Sequence, residues 1–250
     1  MQLAGKHALV TGGGTGIGLA IAQMLAAEGA RVTITGRRAE VLKGVAGNGL
    51  FPAVMDVRDE EQVCEAIAEA IAARGPIEIC VPNAGVAEGR ALHKTDMDFW
   101  RNMMATNLDG AFLTIRECLP GMREAEWGRV IAVASIAGIR GLKGAACYTA
   151  TKHGMIGLIR ALSEDYLTTG ITFNALCPAY VDTDIVARNQ TAISERAGIS
   201  TDKALEVMVS ANRHNRLIAP QEVAAAARWL VSPGSESING QAIEIAGGQM

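Results

Sequence analysis

The sequence predicts an α/β protein: a parallel, doubly wound β-sheet with helices on both faces. Three observations predict it. Short apolar runs alternate with longer stretches of helical spacing along nearly all of the 250 residues. The largely apolar run 77–81 sits between Pro76 and Pro82, as a strand buried on both faces would. A glycine-rich turn joins the first apolar run to the first helical stretch. The composition agrees, because 49% apolar residues and 28 glycines suit close packing of helices on a sheet.

The elements follow in order. Strand one is expected over 7–10, and a helix after it carries Ile17, Ile21, Met24 and Leu25 on one face. Strands two and three are expected over 31–35 and 51–55. A helix over 60–74 has Val63, Ile67 and Ile71 at helical spacing. Strand four is 77–81, and one long helix is expected over 99–122. Strand five is 129–134, a second long helix 148–167, and strand six 171–176. A polar stretch over 182–215 reads as a substrate lid with short helices, since a connection that long is more often functional than idle. Pro220 opens a helix to Leu230, as proline at the first helical position allows. Strand seven is 242–245. With no repeat or linker in view, residues 1–250 read as one domain. In such sheets a ligand binds beyond the carboxyl ends of the strands.

Charge and cysteine usage narrow the partners. The net charge is −3 with no Lys/Arg run, which argues against nucleic acid. No apolar run approaches the roughly 20 residues that span a bilayer, and the first six residues do not read as a signal peptide. Five cysteines without a Cys-x-x-Cys pair, and four scattered histidines, predict reduced thiols, a cytoplasmic protein and no metal site.

The turn reads Thr11-Gly12-Gly13-Gly14-Thr15-Gly16-Ile17-Gly18. Glycine lets the chain turn sharply and lets a pyrophosphate approach the backbone, while the helix amino end offers free N–H groups. Gly12, Thr15, Gly16, Ile17 and Gly18 are therefore candidate dinucleotide ligands. At the end of strand two an acid would bind a ribose 2′-hydroxyl and repel a 2′-phosphate. Here the residues are Thr35-Gly36-Arg37-Arg38, so Arg37 is a candidate partner for a 2′-phosphate and NADP(H) is favoured, with NAD(H) remaining open. Solvated arginines starting a helix are the alternative.

The spacing Gly-xxx-Gly-x-Gly resembles that of the short-chain dehydrogenase/reductase family. Further matches follow in family order: Asn83-Ala84-Gly85 after strand four, Asn107, Ser135 after strand five, Tyr148-xxx-Lys152, and Pro178 after strand six. The resemblance covers essentially the whole chain. It implies a Rossmann-type sheet of about seven strands in the order 3-2-1-4-5-6-7, an NAD(P)-dependent hydride transfer between a ketone and a secondary alcohol, and a homotetramer paired through the two long helices. It also implies cofactor contacts from Asp56, Val57, Asn83, Ala84, Gly85, Tyr148, Lys152, Pro178, Val181 and Thr183. Pro82 and Ala179 depart from the family's Asn and Gly, and neither touches the catalytic group.

Carbonyl reduction needs a proton donor for the developing alkoxide. Tyrosine has a pKa of about 10, and lowering it by roughly three units takes about 4 kcal/mol of differential stabilisation. Tyr148 and Lys152 are four residues apart, so a helix places them on one face, and the ammonium would favour the phenolate. The resemblance makes Tyr148 the acid/base and Lys152 the ribose ligand. It gives Ser135 the substrate oxygen, and Asn107 a water between Lys152 and solvent. A dinucleotide-bound regulator with the same fold is the alternative, and the intact Ser135/Tyr148/Lys152 set argues against it.

The substrate is a small carbonyl or alcohol, with a 3-oxoacyl or hydroxy-acid type in view. Ile136, Ala137, Arg140, Cys147 and Tyr180 are candidate pocket residues, with Val186 and Met208 from the lid. Arg140, Lys143, Arg213 and His214 could instead bind an anion or be surface charges. Direction stays open at this point.

Overall fold

The structure is a computed structural model and describes residues 2–248. Seven strands form one sheet: β1 (His7–Thr11), β2 (Arg31–Gly36), β3 (Leu50–Val54), β4 (Ile79–Val81), β5 (Gly128–Val133), β6 (Ile171–Pro178) and β7 (Ala242–Ile245). Their order is β3-β2-β1-β4-β5-β6-β7, and every pair is parallel. The helices are α1 (Gly16–Ala27), α2 (Ala39–Gly44), α3 (Glu60–Arg74), α4 (Met97–Met104), α5 (Gly110–Glu124), α6 (Ala146–Asp165), α7 (Asp184–Ala197), α8 (Thr201–Ser210) and α9 (Pro220–Val231). This is the predicted Rossmann-type sheet with the predicted strand order.

Alternation along each strand divides the core into two layers. Ala8, Val10, Ile131 and Val133 point to one side, where Ile21 and Leu25 of α1 meet Val223 and Leu230 of α9. Leu9, Val130 and Ala132 point to the other, against Val63 and Ile67 of α3, Ile115 of α5, and Met155 and Ile159 of α6. β5 and β6 are buried along their whole length, so both faces must be apolar or hydrogen-bonded.

The expected long helix over 99–122 is instead three pieces. α4 and α5 are separated by a π-helical turn, Ala105–Asp109, which inserts one extra residue into the helical ladder. Its centre, Asn107, is fully buried and turned inward, and Gly110 lets the helix close on Val57, where a Cβ would come within 2.7 Å. β4 begins at Ile79 rather than at residue 77, and α6 runs two residues earlier at each end than expected, within the ordinary slack of helix and strand ends. The stretch 182–215 holds two helices, α7 of 14 residues and α8 of 10. Among the described residues, no helix is long and apolar enough to cross a membrane.

Candidate active site

The glycine-rich turn folds as it does because β1 ends in the sheet and α1 must start at once. Gly12 and Gly16 have φ of 64° and 54°, in the left-handed region that disfavours a side chain. Gly18 is buried: a Cβ there would come within 2.4 Å of both the Gly12 oxygen and the Asn83 amide. It therefore shapes the turn from behind. Asn83 braces the same turn. Its side-chain amide donates to the Thr11 carbonyl at 2.9 Å and to the Gly12 carbonyl at 3.3 Å, and its backbone N–H donates to the Thr11 hydroxyl at 2.9 Å.

A cavity of about 450 Å³ runs over this turn and along the carboxyl ends of the strands. Of the sequence-predicted residues, Gly12, Thr15, Gly16, Ile17, Arg37, Asp56, Val57, Asn83, Ala84, Gly85, Ser135, Tyr148, Lys152, Pro178, Val181 and Thr183 line it. The cavity fits a dinucleotide on the structure's own terms. The Thr15 side chain makes no capping bond, so the first N–H groups of α1 are left for a ligand. The buried Thr35 hydroxyl in the wall has no hydrogen-bond partner among the described residues. Arg37 stands at the rim with its side chain 61% exposed, 4.0 Å from Asp56, whose carboxylate is bound by Arg58 at 2.6 Å. That Arg58 bond holds the Asp56 carboxyl below the usual range.

At the other end, Ser135 follows β5 and caps a 3-10 turn, Ile136–Gly138, accepting the Ala137 N–H at 3.1 Å. Tyr148 and Lys152 project from α6. Lys152 is buried, and its ammonium donates to the Val133 carbonyl at 2.8 Å. Burial brings its pKa down to about 8. Burial also pushes the Tyr148 phenol above its ordinary value, and hydrogen bonding from Ser135 opposes this. The Lys152 nitrogen lies 5.8 Å from the Tyr148 ring centre. Among the protein's own groups, then, desolvation outweighs the phenolate stabilisation expected from the lysine, and the phenol keeps its proton.

Several predicted residues lie outside the cavity lining. Gly18 is one of them, for the reason just given. Asn107 spends its side chain elsewhere: it accepts the Val86 N–H at 2.8 Å and donates to the Val86 carbonyl at 2.9 Å and the Thr151 hydroxyl at 3.1 Å. Ile136 and Ala137 are turned into the core by the 3-10 turn, and Cys147 is buried at the start of α6. None of the three lines the cavity. Arg140 and Tyr180 are partly buried, and the Arg140 charge acts on the Tyr180 phenol. The Arg140 Nε is buried without a hydrogen-bond partner among the described residues. Of the lid candidates, Val186 lines the cavity and Met208 is buried outside its lining. Sequence reasoning missed Arg38, Thr106 and Arg188 in the lining. Arg38 and Thr106 each adjoin a residue already singled out, whereas Arg188 on α7 carries no local signal.

The family model for short chain dehydrogenase matches residues 6–194. The chain belongs to the short-chain dehydrogenase family. It is 34% identical to the 3-oxoacyl-(acyl-carrier-protein) reductase MabA of Mycobacterium avium, over 97% of this chain and 89% of that protein. It is 32% identical to the D-beta-hydroxybutyrate dehydrogenase of Cupriavidus necator, over 99% of this chain and 98% of that protein. A crystal structure of a single-substitution variant of actinorhodin polyketide ketoreductase with NADPH superposes with a TM-score of 0.94 at 34% identity, covering 99% of this chain and 98% of that one. This short-chain dehydrogenase is an NAD(P)-dependent oxidoreductase.

Proposed function

We propose that the protein is an NADPH-dependent ketoreductase acting on a 3-oxoacyl or related hydroxy-acid-type ketone. The observation that carries this reading is the convergence of Ser135, Tyr148 and Lys152 on the cavity into which the glycine-rich turn opens. The reduced nicotinamide, when bound, supplies the hydride. Tyr148 gives its phenolic proton to the carbonyl oxygen that gains charge. Burial keeps that proton on the phenol until the carbonyl takes it up. Ser135 holds the same carbonyl oxygen by a hydrogen bond. The Lys152 cation binds the cofactor ribose and steadies the phenolate left after proton transfer. Asn107 is a positioning residue, tying α6 to the Val86 segment through Thr151.

Preference for NADPH over NADH rests on Gly36, which offers no carboxylate, and on Arg37, whose loosely held guanidinium suits a 2′-phosphate. The NADPH-containing ketoreductase structure and the relative named for 3-oxoacyl reduction support cofactor and substrate class. The relative named for hydroxybutyrate supports the hydroxy-acid alternative. Arg140 and Tyr180 form the substrate end. Residues 1–250 make one dinucleotide-binding unit with a lid at 182–215. The protein works in the cytoplasm, where its five unpaired cysteines stay reduced, and partners with neither nucleic acid nor membrane. It assembles as a homotetramer through α5 and α6. Phe112 on α5, 46% exposed, is suited to such a contact, and a monomer by light scattering at micromolar concentration rejects it.

The test is turnover. NADPH oxidation is followed with 3-oxoacyl thioesters, free 3-oxo acids and simple ketones, and NADPH and NADH are titrated calorimetrically. Reduction of a 3-oxo substrate with tighter binding of NADPH is the expected result. No ketone turnover, or equal affinities, overturns the corresponding half.

A further inference from the structure

Asn212 follows α8, outside the cavity lining, and is fully buried. Its side-chain oxygen accepts the Tyr180 N–H at 3.0 Å. Its side-chain nitrogen donates to the Tyr180 carbonyl at 2.9 Å and to the Arg216 carbonyl at 2.6 Å. Both amide hydrogens are thereby used, and the oxygen is engaged. Around this clasp, the Ile218 N–H donates to the Tyr180 carbonyl at 3.0 Å and the Asp182 N–H to the Ile218 carbonyl at 2.9 Å. Val181 and Ile218 form an isolated parallel bridge. The chain that enters the α7–α8 hairpin and the chain that leaves it are thus stitched together at Tyr180.

Tyr180 sits where this stitching bears on the chemistry. Its neighbours Ala179 and Val181 both line the cavity, as does Thr183. Tyr180 itself is partly buried between them. A clasp on both sides of the Tyr180 peptide unit fixes the direction in which its phenol leaves the backbone. Small errors in the placement of a substrate cost large factors in rate or affinity.

We propose that Asn212 is a positioning residue for the reaction: by clasping the backbone of Tyr180 it fixes the stretch of cavity wall from Ala179 to Val181, sets the Tyr180 side chain within it, and so orients the ketone. The proposal rests on the ketoreductase reading above. Asn212 itself touches neither substrate nor cofactor.

The test is a double-mutant cycle on the full chain with NADPH and a ketone that the wild type reduces. Asn212→Ala raises KM for the ketone by about tenfold, and kcat and the NADPH dissociation constant change by less than about threefold. In a Tyr180→Ala background the same change alters KM by less than about twofold, because the side chain it positions is gone. Asn212→Ser, which keeps one hydroxyl donor and acceptor, recovers part of the loss and carries the cycle should the alanine variant not fold. Hydrogen exchange, read without turnover, speeds at the amides of Tyr180, Asp182 and Ile218 and stays unchanged at Val10–Ile17. Equal KM effects with and without Tyr180, a change confined to thermal stability, or unaltered exchange at Tyr180 each overturn the proposal. Absence of ketone turnover in the wild type overturns the ketoreductase reading instead, while the exchange measurement still judges the clasp.

Discussion

The Lys152 ammonium donates its hydrogen bond to the Val133 carbonyl, 2.8 Å away at the last residue of β5. This bond fixes the height of α6 against the strand ends, and Ser135 lies only two residues beyond Val133. The close approach of α6 also depends on Gly138, where a Cβ would come within 2.7 Å of the Lys152 carbonyl oxygen. Strand end, 3-10 turn and helix thus converge on one point, and the three polar side chains follow from that backbone geometry.

Tyr148→Phe removes the only proton that the proposed mechanism delivers. The expected outcome is a fall in kcat of about 10³-fold, within the usual range for general acid catalysis, with the NADPH dissociation constant changed by less than about threefold. Ser135→Ala removes an oxygen ligand but leaves the acid, so its loss is smaller, about 10²-fold. Steady-state kinetics and calorimetry on both variants check this. Retention of wild-type kcat by the phenylalanine variant would show that another group supplies the proton.

The pH profile follows from Lys152. Its pKa is brought down to about 8 by burial, so the ammonium is held below that pH and lost above it. In the proposed mechanism the cation steadies the phenolate, so kcat/KM for ketone reduction is expected to be level below about pH 7 and to decline as pH rises through about 8. Lys152→Arg keeps a charge that does not titrate in this range, so the residual activity of that variant has no such decline. A decline at the same pH in both proteins assigns the titration to a different group.

Much of this site was legible in the sequence, and the residues show why. β1, β5 and β6 are buried along their whole length, so their burial is written as predominantly apolar runs, interrupted in β6 by Thr172 and Asn174. Tyr148 and Lys152 were legible through the family resemblance, with Ser135 upstream in the family's order, and helical spacing adds that they share one face. The π-helical turn at Asn107 was not legible: a one-residue slip in hydrogen bonding leaves the apolar spacing on either side intact. Nor was the burial of Ile136 and Ala137, since being next to Ser135 in sequence says nothing about which way a 3-10 turn faces. Asn212 was invisible for a different reason. Its partners are backbone groups, one of them 32 residues away, and a backbone partner imposes no residue pattern.

Arg37 gives a cofactor prediction. Its nearest acid, Asp56, is 4.0 Å away and already engaged by Arg58, so little holds the guanidinium where it is. An exposed pair of this kind contributes little to stability, and the side chain is free to meet a phosphate. Arg37→Asp exchanges a phosphate partner for a group that repels phosphate and can accept from a ribose hydroxyl. NADPH affinity is expected to drop by at least about tenfold and NADH affinity to rise, with the melting temperature little changed. Calorimetric titration of both nucleotides decides it, and an unchanged ratio of affinities removes Arg37 from cofactor choice.

His7 is a buried titratable group at the opposite end of the sheet from the active site, and it predicts how the fold fails in acid. Its Nδ1 lies 2.7 Å from the Gly75 carbonyl, which can only accept, so Nδ1 carries the proton. Its Nε2 lies 2.8 Å from the Thr33 hydroxyl. Burial keeps the ring neutral, so Nε2 accepts the hydrogen of that hydroxyl, whose oxygen in turn accepts from Arg74 at 3.1 Å. Burial, with the charges of Arg74 and Arg31 beside it, lowers the histidine pKa to about 4 against an ordinary 6.5. Between those two values the unfolded chain binds a proton that the folded chain refuses, so stability is lost as pH falls through this window. From pH 7 to 4.5 the loss from this one group is about 2.5 kcal/mol. Carboxylates also protonate over this range, so the measurement is a comparison: urea unfolding at both pH values for the wild type and for His7→Gln. Glutamine can still donate to the Gly75 carbonyl and accept from Thr33, but it does not titrate, so the variant loses about 2.5 kcal/mol less on acidification. Equal losses in the two proteins would mean that His7 takes up its proton in the folded state as readily as in the unfolded one.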